Sequence, residues 1–287
     1  MRTTRAVDGF SLVYDLHGTD GATPVVLLHG WPGDRADYRE VVPLLEPHAR
    51  LVVPDLRGFG DSDRHNVPAT EGYSAAAQVR SVLALLDELD ISRAVFVGYD
   101  IGSRLVQHLL DTGDPHVASA VMTPPLPGAA ERMLAPAVQR EFWYQVLHRL
   151  PLADALVDGD ADAVRAYLGH FWHHWSGQGF ALSEEDLDRL VRSYARPGAF
   201  TTSIGWYRSR TGSAAGAGPE RAPAQRVAVP VEVVWPGQDP LFPTEWSDRL
   251  DEWYADLRLV HAPQSGHFVP LEVPGLVAES VLRLLAR

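Results

Sequence analysis

The sequence predicts an α/β fold: a mostly parallel β-sheet flanked by helices and interrupted by an all-helical insertion. Three observations predict it. Short aliphatic, β-branched runs alternate with helical patterns over the first 125 residues. Those runs are apolar throughout, as in strands covered on both faces. The alternation stops between about 126 and 212, where only helical patterns occur, and then resumes.

In order, "TPVVLLHG" reads as a buried strand and "ADYREVVPLLEP" as a helix. "ARLVVPDL" is a strand, and "YSAAAQVRSVLALLDEL" is an amphipathic helix. "RAVFVGYD" is a strand, "IGSRLVQHLLDTG" a helix closed by Gly113, and "VASAVMTP" a further strand. The insertion then supplies "PAVQREFWYQVLHRL", "DADAVRAYLGHFWHHW", "SEEDLDRLVRSYA" and "AFTTSIGWYRSR" as helices. "TGSAAGAGPERAPAQ" reads as a flexible linker. "VPVEVVWPG" and "LRLVHAP" resume the strand pattern, each followed by a helix. The chain thus divides into 1–125, the first part of an α/β core; 126–225, a helical unit with its linker; and 226–287, the second part of the core. There is no internal repeat.

Composition narrows the function. The chain has 287 residues, 46% of them hydrophobic, enough for one large core with an inserted part. Lys+Arg is 25 against Asp+Glu 37, a net charge of −12, which argues against nucleic acid or an anionic membrane as partner. Every basic residue is arginine. There is no cysteine, so disulfides, thiolate metal sites and a thiol nucleophile are excluded. The start, "MRTTRAVDGFSLVYDL", lacks the apolar stretch of a signal peptide, and no run reaches the roughly 20 residues of a membrane span. A cytoplasmic protein is the expectation. The oligomeric state, a homodimer included, stays open.

Ligands of open α/β sheets bind at the carboxyl ends of strands. The polar residues just after strands are His29, Asp55, Asp100, Asp239 and His267. Asp100 stands in G-x-D-x-G between a strand and a helix, the pattern of a nucleophile elbow. Alone, it would read as an N-cap, and the paired glycines and the motifs that follow reverse that. Asp239 follows a late strand in "WPGQDPLFP" and could be a turn residue. His267 follows the last strand in "APQSGHFVP" and could be a helix-start or core histidine. Their chain order is nucleophile, acid, histidine. Metal is the weaker reading, because His173 and His174 are adjacent on a helix and point apart. No cofactor motif is present: G-x-G-x-x-G and the P-loop pattern are both absent.

With these residues in hand, the chain resembles the α/β-hydrolase superfamily. "HGWPG" resembles its H-G-x-P oxyanion loop, and "PDLRGFGDSDR" the loop after the next strand. The resemblance covers nearly the whole chain and implies an α/β-hydrolase fold in which the helical insertion is the cap, or lid. It further implies that the backbone amides of Trp31 and Ile101 form the oxyanion hole.

Most relatives carry Ser at the elbow, which suits acyl substrates. A Ser attacking a saturated carbon would leave an inert ether. An Asp leaves an alkyl ester, and water can then attack the carbonyl of Asp100 itself. His267, oriented by Asp239, would deprotonate that water. Asp100 therefore implies an epoxide or an organic halide. A halide leaves as an anion and needs N–H donors, whereas an epoxide oxygen needs a proton. Tyrosine, with a free pKa of about 10, can donate one. Tyr144 in "REFWYQVLH" and Tyr207 in "SIGWYRSR" lie in segments similar to those carrying the paired tyrosines of soluble epoxide hydrolases. Both could instead be ordinary helix aromatics, like Tyr167 and Tyr194.

The resemblance also has departures. Ile101 follows the nucleophile where haloalkane dehalogenases carry Trp, and "GYDIGS" departs from the H-D-W common in epoxide hydrolases. Arg104 matches one of the two arginines of fluoroacetate-type relatives, but Ile101 replaces the other. Trp143, Trp175, Trp206, Phe242 and Phe268 are the candidate walls of an apolar pocket. The expectation is an epoxide hydrolase acting on a small apolar epoxide. The alternatives are a haloalkane or haloacid dehalogenase, or a non-catalytic ligand-binding relative.

Overall fold

Eight strands form one sheet in the order β1-β2-β4-β3-β5-β6-β7-β8. They are β1 (Arg2–Thr3), β2 (Val13–Gly18), β3 (Pro24–Leu28), β4 (Arg50–Pro54), β5 (Ala94–Tyr99), β6 (Val117–Thr123), β7 (Val231–Pro236) and β8 (Leu257–Ala262). The computed structural model describes residues 1–124, 127, 129, 131–209 and 222–287. β2 pairs antiparallel with β1 and β4, and every other pairing is parallel. β5 and β7 are buried at every position, which is why they read as largely apolar runs, broken in β7 only by Glu232, which pairs with Arg283 at 2.7 Å. β8 lies at the sheet edge and is mostly half-buried or exposed.

The helices of the core are α1 (Val42–Leu45), α2 (Ala69–Gly72), α3 (Ala75–Glu88), α4 (Ile101–Asp111), α12 (Val269–Glu272) and α13 (Pro274–Leu285). α4 packs on β3, β5 and β6 with α3 beside it. α13 packs on β5, β6 and β7 with α1 beside it. Ser74 caps α3 by accepting from Ala77 N, and the chain leaves α4 through Gly113 at φ +66°.

Between β6 and β7 the described residues form α5 (Pro136–Gln139), α6 (Trp143–His148), α7 (Pro151–Val157), α8 (Ala161–Trp175), α9 (Glu184–Tyr194), α10 (Ala199–Ser203) and α11 (Gly205–Arg208). Asp160 caps α8 and Ser183 caps α9 through their side-chain oxygens. This helical region sits on the loop after β3. Trp172 Nε1 donates to Pro32 O (3.0 Å) and Tyr194 Oη to Gly33 O (2.8 Å). Arg189 pairs with Asp34, and Arg39 with Asp186 at 2.7 Å.

Several elements differ from the sequence expectation. The antiparallel strands β1 and β2 and helix α7 were not anticipated. The helix expected over 36–47 is a 3-10 turn (Arg35–Tyr38) followed by α1, because Pro43 supplies no N–H to continue the first turn. The helix expected over 136–150 breaks into α5 and α6, and that over 199–210 breaks at Ile204. The expected start of the insertion at Leu126 and most of the expected linker, 211–221, lie outside the described residues. Among the described residues no helix is long and apolar enough to cross a membrane.

Candidate active site

Asp100 stands between β5 and α4 with φ +49° and ψ −118°. A non-glycine residue is strained there, and such strain must be held by its surroundings. Two close approaches hold it. A Cβ on Gly102 would lie 1.9 Å from Leu28 O, and one on Gly98 2.4 Å from the Gly102 carbonyl. The flanking glycines therefore let β3, β5 and α4 meet backbone to backbone. Asp100 makes no side-chain cap bond to its helix, so capping does not explain it. Its Oδ1 instead accepts from Trp31 N at 2.8 Å.

The loop carrying Trp31 is fixed from below. Leu56 N donates to His29 Nε2 (3.0 Å), so the imidazole proton sits on Nδ1 and goes to Gly30 O (2.9 Å). Burial pushes the His29 imidazole below its usual range and keeps it neutral. Asp55 accepts from the backbone N–H groups of Arg35 and Asp61 (2.8 and 2.9 Å) and pairs with the Arg35 guanidinium. His29 and Asp55 thus brace loops. The structure does not bring either beside the Asp100 carboxylate.

His267 follows β8, and its Nδ1 donates to Asp239 Oδ2 at 2.8 Å. Asp239 Oδ1 accepts from Leu241 N (2.8 Å), which fixes the carboxylate. His267 Nε2 lies 3.4 Å from Asp100 Oδ2 and makes no hydrogen bond among the described residues, so this contact is an ion pair at reach. Burial alone would lower the imidazole, but Asp239 and then Asp100 outweigh it and raise its pKa to about 10. Three residues from three loops therefore form one chain: carboxylate, imidazole, carboxylate.

Tyr144 on α6 and Tyr207 on α11 are buried, with ring centroids 5.6 Å apart. Each ring centroid lies 6.0 Å from that of Trp31. Burial, and then charges that include Asp100, push both phenols up and keep them protonated. Trp175 joins this group, 5.1 Å from Tyr144 and 5.0 Å from His267. Phe268 stacks on Trp172 at 3.6 Å and lies 5.5 Å from His267.

Among the expected pocket walls, Trp143 needs correction. Trp143 is 41% exposed and stacks on Phe171, because the residue after it on α6, Tyr144, takes the inward direction. Phe242 is buried and makes its ring contacts with Phe142 and Trp246. Trp206 is buried on α11 but makes no ring contact among the described residues with the site aromatics. Arg104 donates to Gln107 on its own helix.

Two residues of this neighbourhood were missed in the sequence. Glu272 accepts from Gly266 N (2.6 Å), Phe268 N (3.0 Å) and Gly177 N (2.9 Å), tying the His267 loop to the end of α8. The signal was one carboxylate in the apolar run "FVPLEVPGLV". His148, fully buried beside Trp31, stands one turn after Tyr144 on the same helix face. Among the described residues no group of three or more His, Asp and Glu could hold a metal ion.

The sequence profile of the alpha/beta hydrolase fold matches residues 23–274. Epoxide hydrolase A of Mycobacterium tuberculosis is 28% identical over 327 residues, covering 99% of this chain and 97% of the relative. The soluble epoxide hydrolase of a Corynebacterium species is 26% identical over 294 residues, covering 98% and 95%. Cfl2 from Burkholderia cenocepacia superposes with a TM-score of 0.84 at 25% identity, over 99% of this chain and 95% of that one. The chain belongs to the α/β-hydrolase fold family.

Proposed function

We infer that the protein is an epoxide hydrolase that works through a covalent ester. The observation that carries this reading is an aspartate, rather than a serine, at the strained elbow, uncapped and 3.4 Å from an imidazole. The epoxide hydrolases of Mycobacterium tuberculosis and of a Corynebacterium species, both similar to this chain, support the same reading.

The residues divide the reaction into two steps. Asp100 Oδ1 is held by Trp31 N, which leaves Oδ2 to attack the less hindered epoxide carbon. The C–O bond of the ring breaks, and its oxygen takes a proton from Tyr144 or Tyr207. The product is an alkyl ester of Asp100. Forming it removes the Asp100 charge, one of the two charges that keep His267 protonated. The imidazole then gives its proton to the tyrosinate left by ring opening and, now neutral, serves as base toward water, oriented by Asp239. Water adds to Cγ of Asp100, and Oδ1 bears the developing negative charge against the Trp31 amide, with Ile101 N as second donor. Collapse releases a vicinal diol and restores the carboxylate. Residues 126–225 act as the cap, with Trp175 and Phe268 as apolar wall.

A single turnover in ¹⁸O-labelled water tests the route. Label should appear in the Asp100 peptide, and label found only in the diol excludes the ester. Halide release from haloalkanes or haloacids, with epoxides untouched, would assign the dehalogenase reading instead.

A further inference from the structure

Next to the nucleophile lies a buried polar pair that the two reaction steps do not use. Tyr99 ends β5 and directly precedes Asp100, and its phenol donates to Asp37 Oδ2. Both side chains are buried. Burial pushes the Tyr99 phenol up and keeps it protonated, so the hydroxyl is the donor. Burying a carboxyl is costly, so a partner 62 residues away in the chain needs a reason.

Asp37 ties this tyrosine to the loop that carries Trp31. Its Oδ2 also accepts from Asp34 N at 3.2 Å, and its own N–H donates to Asp34 O at 3.0 Å. The carboxyl fills the space beside Gly33, where a Cβ would lie 1.7 Å from Oδ2 and 2.8 Å from Tyr99 Oη. At the other end of the loop, a Cβ on Gly30 would lie 2.5 Å from the Asp100 Cβ and 3.0 Å from the Tyr99 ring. Residues 30–34 are thus gripped twice, by the Tyr99–Asp100 segment and by Asp37. Between the two grips stands the Trp31 amide, 2.8 Å from Asp100 Oδ1. Helix α9 holds the same stretch through Tyr194 on Gly33 O and Arg189 on Asp34.

We propose that Tyr99 and Asp37 are positioning residues: their hydrogen bond keeps the Trp31 amide on the Asp100 carboxyl and so governs hydrolysis of the ester. The proposal rests on the epoxide reading and names the step that the pair controls. During alkylation the Asp100 carboxylate loses charge, so the amide contact does not strengthen toward the transition state. During hydrolysis negative charge returns to Oδ1, and a donor already in place stabilises it. Loosening the loop therefore slows the second step and spares the first.

The test is a single turnover of a terminal alkyl epoxide with protein in excess, quenched rapidly and read by intact-protein mass spectrometry. Tyr99→Phe removes only the hydroxyl. Its ester should decay about tenfold more slowly than in wild type, less than the roughly 10²–10³ of deleting an oxyanion donor outright. Ester formation should change less than about threefold. In steady state kcat and KM should fall together, leaving kcat/KM within about threefold. Asp37→Asn keeps an acceptor for the Tyr99 hydroxyl and should decay near the wild-type rate, whereas Asp37→Leu should resemble Tyr99→Phe. Equal ester lifetimes in wild type and Tyr99→Phe, or equal slowing of both steps, overturn the positioning role and leave the epoxide reading standing. Diol formed at equal kcat, with no ester trapped in either protein, overturns the role as well. Neither ester nor diol from any epoxide overturns the epoxide reading and the proposal with it.

Discussion

At Asp100 the carboxylate makes one backbone hydrogen bond and faces one imidazole, an arrangement that leaves one oxygen available. His267→Gln should therefore allow alkylation and block hydrolysis. Intact-protein mass spectrometry after mixing with an epoxide should show a stable adduct of substrate mass on this variant. An unmodified chain that has nevertheless consumed substrate would remove His267 from the second step. Tyr144→Phe and Tyr207→Phe should each lower kcat/KM about 10- to 100-fold at unchanged melting temperature, since one proton donor remains in either variant. Glu272 belongs to the same scale. Its carboxylate satisfies three backbone N–H groups around His267. Glu272→Ala should lower the melting temperature and reduce kcat more than it changes KM, because it loosens the imidazole rather than the pocket. Legibility in the sequence differed among these residues. Asp100, Asp239 and His267 announce themselves because each follows a strand in a turn. Glu272 and His148 look like ordinary helix residues until their neighbours are known.

At the scale of elements, the strand–turn–helix from β5 to α4 depends on contact with β3. Gly102→Ala would drive a methyl group into Leu28 O, and the chain cannot relax there without moving β3. That variant should lose about 2 kcal/mol or more in urea unfolding, whereas Gly113→Ala meets no neighbour within 4 Å and is strained only by its φ of +66°. The insertion is held by polar contacts as well as by rings. α9 reaches the loop after β3 through Arg189–Asp34, Arg39–Asp186 and the Tyr194 hydroxyl on Gly33 O. These contacts put the insertion on the loop whose amide meets Asp100. They explain why Tyr144 and Tyr207, on helices that are short and separated in sequence, stand at one place. Propensity and periodicity foresaw α8 and α9, which have capping residues and a clear apolar face. They overran α5–α6 and α10–α11, whose breaks are set by what each segment packs on.

Across the whole molecule, His267 and Asp37 tilt the stability toward acid above about pH 6. His267 is raised to about 10 in the folded state, against about 6.5 when free. Its contribution is complete below about pH 6.5 and is lost as pH rises through about 10. Burial, and then the charge of Asp34, raise Asp37 to about 8. Its contribution is complete below about pH 4 and is lost as pH rises through about 8. Unfolding midpoints in urea should therefore fall from about pH 6 to about pH 10. Asp37→Asn should flatten the lower part of that fall and His267→Gln the upper part. A wild-type midpoint that stays level over this range would contradict both assignments.

By itself the sequence determined the α/β class, the run of buried strands and the residues that stand just after them. These are local properties: a strand covered on both faces is apolar at nearly every position, and a turn residue is chosen by the backbone it must adopt. The tertiary structure alone decided that loops after β5, β7 and β8 bring two carboxylates to one imidazole. It also decided that Tyr144, rather than Trp143, turns inward. Those outcomes depend on strand order and on the seating of the insertion, which are set by contacts between residues far apart in the chain.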